Sequence, residues 1–182
     1  MNMITTNFFL ASKTMSSSAV TEAMKAKAEV YHGDETCRAK FTLLLADIGL
    51  PVGLMTIEDI EECGYVKEIG FVWLKQKQKK EHKFENVVVW FDAEVTAYFE
   101  KKKIKKLTGV KAKEFLIWIS VCEIYVGDDN GSSITFKTPA GLSKAFPISV
   151  FQSGDIQDRD DWNEVKKMEQ RREICAVQRV NK

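Results

Sequence analysis

Helical and strand-like hydrophobic patterns divide this chain in two. From Thr21 to Val30 helix formers dominate, and Gly33 ends the run, which predicts a first helix. A second is more strongly marked. Asp34 stands where a cap belongs, Cys37, Phe41, Leu44, Leu45 and Ile48 recur at helical spacing, and Gly49-Leu50-Pro51 supplies a left-handed terminator followed by a residue that cannot continue the helix. After Pro51 the period shifts toward two. GYVKEIGFVWLKQKQ has the β-branched and aromatic content of two short strands with Gly70 at their turn. Val95, Ala97 and Phe99 then alternate with Glu94, Thr96, Tyr98 and Glu100, the pattern of a half-buried strand.

From Phe115 to Val126 the alternation fails, because both faces are apolar: Phe115, Ile117, Ile119 and Val121 on one, Leu116, Trp118, Cys122 and Ile124 on the other. That pattern predicts an inner strand covered on both sides, with Trp118 buried and the preceding KKKIKK as exposed turn and edge beside it. Further strands are expected at SITFKT and LSKAFPISVF. The prediction is a mainly β fold: a small β-barrel or sandwich-like domain preceded by two helices. Residues 1–20 read as a disordered arm, 21–152 as the domain and 153–182 as a charged tail. A tail helix from about Trp162 to Cys175 is predicted by the capping-box spacing Asp161-Trp162-Asn163-Glu164.

Composition narrows the function. The 182 residues are 45% apolar with a formal charge of +1, which suits one globular domain and gives no global attraction to nucleic acid or membrane. No apolar run reaches the roughly 20 residues that span a bilayer. The four cysteines are far apart and form no C-x-x-C pair, which reads as free thiols in a reducing compartment, and a cytoplasmic location is expected.

Candidate chemistry is sparse. His32 and His82 are the only imidazoles, and neither has an evident orienting partner. Gly141-Leu142-Ser143-Lys144-Ala145 lacks the second glycine of a nucleophile elbow and leads into a strand where the elbow needs a helix. The carboxylates of IEDIEEC read as a solvated face. There is no dinucleotide fingerprint, phosphate loop or metal-ligand cluster, so no cofactor and no metal are expected.

Two features remain. Between Lys75 and Lys113 stand twelve lysines against five acids, densest at Lys101, Lys102, Lys103, Lys105 and Lys106. They read either as an anionic-surface site or as guards that keep an apolar sheet edge soluble. The lack of arginine among them argues against nucleic acid and weakens the phosphate reading. The aromatics of the strands, Trp73, Trp90, Tyr98 and Trp118 foremost, are read by default as core and alternatively as the lining of an apolar ligand site.

The segments YHGDETCRAKFTLLLADIGLPVGLMTIEDIEECGYVKEIGFVWLKQKQKKEHKF, EVTAYFEKKKIKKLTGVKAKEFLIWISVCEIYV and ITFKTPAGLSKAFPISVF, in that order, resemble the plant family called domain of unknown function 538. The resemblance covers about Glu22 to Phe151. It rests on Gly49-Leu50-Pro51, Gly53-Leu54, Gly64, Gly70, Trp73, Thr108-Gly109-Val110, Gly141 and Pro147, which are turn, terminator or packing residues by their own chemistry. The chain departs from the family pattern at Asn86 to Asp92 and in its long amino-terminal arm. The resemblance implies a plant protein with a small β-barrel-like fold preceded by helices, no established activity and an association with stress responses. Ideas attached to the family include likeness to lipid-binding permeability-increasing proteins, pigment binding and hydrolysis. The expected function is therefore non-catalytic binding of an apolar or lipid-like small molecule, with an anionic membrane surface as a second partner. Ester hydrolysis and a protein-interaction role for Ser153–Lys182 are the alternatives.

Overall fold

The computed structural model describes residues 24–152 apart from 55, 85–86 and 128–130. The arm at 1–20 and the tail at 153–182, with its expected helix, lie outside the described residues.

The well-marked helix is present as α1, Asp34–Asp47. Its end is a Schellman motif: Gly49, at φ 77°, donates its N–H to Ala46 O, and Leu50 donates to Leu45 O. Gly33 takes the N-cap position, and Asp34 does a different job from capping. Its carboxylate accepts the Ile60 N–H at 3.0 Å, which ties the start of α1 to the sheet. Cys37, Phe41, Leu44 and Leu45 are buried, as their spacing requires.

The other expected helix is a correction. Residues Glu29–His32 form strand β1, paired antiparallel with residues 62–65, and of the expected helix only Met24 and Lys25 are helical among the described residues, so α1 is the one full α-helix there. Helix propensity differs by only tenths of a kcal/mol per residue, and a ladder of backbone hydrogen bonds outweighs it.

All ten strands among the described residues belong to one antiparallel sheet: β1, β2 (Ile60–Val66), β3 (Phe71–Gln76), β4 (Lys80–Phe84), β5 (Val87–Glu100), β6 (Lys103–Glu114), β7 (Ile117–Ser120), β8 (Glu123–Val126), β9 (Ser133–Lys137) and β10 (Ser143–Pro147). The path runs β1-β2-β3-β5-β6-β8-β9-β10, with β4 also on β5 and β7 also on β6. Its two ends do not pair, so the expected closed barrel is not formed, and with one sheet there is no sandwich.

The long central strands explain why. Along one edge β5 pairs first with β4 (Val87–Phe91) and then with β3 (Glu94–Tyr98). Likewise β6 pairs with β8 near Lys103 and Ile104, and with β7 from Lys111 to Glu114. Each change of partner breaks the ladder and lets the sheet bend over its own inner face. At the break in β5 the buried amide of Gln76 donates to the carbonyls of Phe91 and Asp92, at 3.2 and 2.9 Å. At the matching irregularity in β6, Gly109 has φ 77°, and a Cβ there would lie 2.2 Å from Glu94 O, a clash only glycine avoids.

The lysine-rich segment keeps its predicted exposed turn at Lys101-Lys102 but then continues into a central strand where an edge was expected, and the apolar segment does not become an inner strand. β6, which carries Lys103 to Lys113, is a central strand, whereas the apolar run divides into an exposed turn at Phe115-Leu116, the short β7 paired only with β6, and β8. Trp118 is 36% exposed, not buried. A strand's own residues say which faces are apolar but not which strands flank it, so the inner-strand prediction failed at that step.

Candidate functional site

The inner face of the bent sheet and α1 enclose an apolar core. Val72 of β3, Val89, Phe91, Val95 and Ala97 of β5, and Leu107 and Val110 of β6 face Phe41 and Leu45 of α1. Rings close the far side. Phe151, at the end of the 3-10 turn Ile148–Phe151, lies 4.8 Å from Phe84 of β4 and 5.4 Å from Phe136 of β9, centroid to centroid, and so bridges strands remote in the sheet order. The core is not completely filled. A cavity of about 80 Å³ remains between α1 and the sheet.

Its lining is hydrocarbon except at Thr96, whose hydroxyl is within 2.7 Å of the Thr108 hydroxyl. A water needs two to four polar partners, so this space is suited to a dry apolar occupant. For scale, a cavity of about 150 Å³ lined by aliphatic and aromatic side chains binds benzene. The cavity here accommodates a few carbon atoms as it stands.

The four aromatics singled out from the sequence do not line this cavity. Trp73, 1% exposed, belongs to a separate small cluster with Phe71 and Val66, against which Met24, Ala28 and Tyr98 pack. Its ring lies against Gly64, where a Cβ would come within 2.1 Å, and its N–H donates to Glu62 Oε1 at 3.1 Å. Partial burial raises the Glu62 pKa, but the Trp73 N–H with Lys25 and Lys75 more than offsets this and holds the carboxyl below its ordinary value. Trp90 and Trp118 pair at 5.8 Å, with the Trp90 N–H on Asp92 Oδ1 at 3.0 Å. The structure therefore brings together Trp73 with Tyr98, through Phe71, and Trp90 with Trp118, as two separate groups.

The lysines are distributed over partners that the strand pairing brings near. Lys103 bridges Glu123 at 2.7 Å and Lys105 bridges Glu100 at 2.6 Å, while Lys106 sits over the Tyr98 ring at 5.0 Å. Lys101 and Lys102 form the β5–β6 turn, Lys102 at φ 57°, and have no ion pair among the described residues. With Lys103, Tyr125 and Val126 they wall an open dish of about 420 Å³.

Catalytic groups are not assembled around the cavity, since its lining includes no Ser, Cys, His, Asp, Glu or Lys. Ser143 opens the exposed strand β10. His82 packs against Phe84 at 4.6 Å, and burial lowers its pKa against the weaker opposing pull of Glu58. Cys37 and Cys63 are fully buried free thiols in mutual contact, and burial raises both pKa values, which leaves them poor nucleophiles. Among the described residues no three His, Cys, Asp or Glu side chains could hold a metal ion, and no helix is long and apolar enough to cross a membrane.

Sequence reasoning missed the residues that enclose the cavity. Spacing marked Phe41 and Leu45 of α1 and Val95, Ala97 and Phe99 of β5 as apolar faces, but nothing in a one-dimensional pattern distinguishes a filled core from one with a gap.

The fold and cavity define a mainly β protein, built on a single antiparallel sheet, with an apolar interior under one helix. Residues 41–152, more than half of the chain, match the family described as protein of unknown function, DUF538, and the chain belongs to that family. No curated protein and no solved structure matches it.

Proposed function

We propose that the protein is a non-catalytic binding protein for an apolar or lipid-like molecule, part of which occupies the cavity between α1 and the sheet. The observation that carries this reading is the cavity's hydrocarbon lining within an otherwise closely packed core. Chemistry on a bound ester would need a nucleophile and a base beside it, and the lining supplies neither. At about 80 Å³ the space suits the end of a chain or a small hydrocarbon, and a bulkier ligand requires α1 to move outward with Phe41 and Leu45. Anionic contact at the β5–β6 turn falls to Lys101 and Lys102 in this reading, because Lys103 and Lys105 are already paired. Free thiols at Cys37, Cys63 and Cys122 support a reducing, cytoplasmic location. A plant source and a part in stress responses belong to the same proposal through the family.

The test is thermal unfolding with and without benzene and decanoic acid, on wild type and on Ala97→Leu. Ala97 is 2% exposed and lines the cavity, so the added carbons fill it. Wild type should melt higher with one or both probes, by the linkage RT ln(1 + [L]/Kd). Ala97→Leu should melt no lower than wild type without probe and lose the response. If neither probe raises the wild-type melting temperature, or Ala97→Leu responds equally, the cavity is not a binding site.

A further inference from the structure

The β6–β7 hairpin ends in an exposed apolar tip. Glu114 pairs with Ile117, which leaves Phe115 and Leu116 as a two-residue turn. Phe115 is 90% exposed and Leu116 91%, and exposure then falls along β7 through Ile117 at 63% to Trp118 at 36%. Phe115 also has φ 53°, a left-handed conformation that a bulky residue rarely adopts and that costs roughly 1–3 kcal/mol. Two-residue hairpin turns ordinarily place Gly, Asn or Asp at such a position. Here a phenylalanine takes the strain without burying its ring in return. Folding alone does not account for it.

The residues behind the tip are layered. One step back from Ile117 and Glu114, Trp118 pairs across the strands with Lys113, whose ammonium lies 5.4 Å from the indole centroid. Lys111 follows on the same hairpin, in a looser ion pair with Asp92 at 4.0 Å that leaves it 40% exposed, so Lys113 is the chief cation of the hairpin. Glu114, the carboxylate nearest the apex, is neutralised by Lys144 of β10 at 2.6 Å. An apolar apex, then tryptophan and lysine, is the order in which these side chains partition at a lipid interface. The apex stands about two residues, or roughly 7 Å, beyond Trp118, within the 5–10 Å depth of interfacial insertion.

We propose that the β6–β7 hairpin is a membrane anchor that inserts Phe115 and Leu116 into an anionic bilayer, with Trp118, Lys111 and Lys113 at the headgroup level. This site lies at the opposite end of β6 from Lys101–Lys103 and does not depend on occupancy of the cavity. A second copy of the chain is a poorer fit, because a narrow tip of a few side chains falls short of the ~800 Å² per partner of an ordinary protein interface. A bilayer needs no matching surface. It accepts the tip as it stands.

The experiment is co-sedimentation of the full chain with vesicles of phosphatidylcholine and phosphatidylserine (3:1) at low salt, alongside the variants Phe115→Gly/Leu116→Ser and Lys113→Gln. Glycine at the first turn position suits a tight hairpin turn, so the double variant should melt no lower than wild type. It should nevertheless bind roughly 100-fold more weakly, through loss of two buried apolar side chains. Lys113→Gln should weaken binding about fivefold, and pure phosphatidylcholine should bind less than the mixture. Lipids brominated near the headgroup should quench tryptophan emission in wild type and much less with the double variant. The proposal is overturned if wild type does not sediment with the mixed vesicles, if the double variant binds within about threefold of it, or if the tip instead drives self-association that the double variant abolishes. Equal binding to phosphatidylcholine alone overturns its anionic part.

Discussion

Replacing Gly64 by alanine tests the packing of the outer face, and the sign of the effect decides the matter. A Cβ at Gly64 would lie 2.1 Å from Cη2 and Cζ2 of Trp73. Carbon atoms pack best at about 3.5–4.0 Å, so the indole must move by more than ~1 Å. It is poorly placed to do so, being 1% exposed, held by its N–H to Glu62 at 3.1 Å and flanked by Phe71 at 6.0 Å. Overpacking of this kind costs about 1–3 kcal/mol. Against it stands the entropic gain of Gly→Ala, about 0.4–1 kcal/mol where the backbone is not left-handed, and Gly64 is not among the positive-φ glycines. The expected net is a loss of roughly 1–2 kcal/mol, or a fall of roughly 3–10 °C in melting temperature, read by far-UV circular dichroism and checked by urea unfolding. Trp73→Phe provides the control. With the smaller ring the clash is relieved, and adding Gly64→Ala should be neutral or stabilising, a coupling of at least about 1 kcal/mol between the two sites. If Gly64→Ala alone melts at or above wild type, the indole does not press on Gly64 and the account of this face fails.

Two further outcomes follow from groups inside the sheet. Gln76→Leu removes the donor that serves the Phe91 and Asp92 carbonyls and should cost about 1–3 kcal/mol, seen as a lower urea midpoint at unchanged slope; an unchanged midpoint would show that the carbonyls find other partners. For His82 the folded pKa lies below its ordinary 6.5, so the unfolded chain takes up the proton first as pH falls. Its contribution to stability is therefore complete above about pH 6.5 and declines as the pH drops below that value. His82→Gln should flatten the stability profile just below about pH 6.5, and a profile identical to wild type would exclude His82 as its source.

Local sequence determined those elements whose signals are local. α1 and its Schellman end were legible because glycine at Gly49 and the proline at Pro51 act on the backbone within a few residues. The β2–β3 hairpin was legible from Gly70 between two apolar runs, and the inward set of β5 from its alternation. Pairing partners are set by chain segments far away in sequence, and there the local signals misled. Glu29–His32 became a strand because β2 offers it a ladder, Phe115 to Val126 became a turn and two short strands because β6 exchanges partners, and the lysine run, after its turn at Lys101-Lys102, became central from Lys103 onward with its charge partly matched by Glu100 and Glu123. Apolar residues told the sequence reader what would be removed from water. Only the tertiary structure decided that the core keeps a gap beneath α1, that Trp73 packs outside it, and that Phe115 and Leu116 are left exposed. The hydrophobic effect is non-directional: a pattern of side chains specifies how much surface seeks burial, while the order of strands in the sheet determines which surface achieves it.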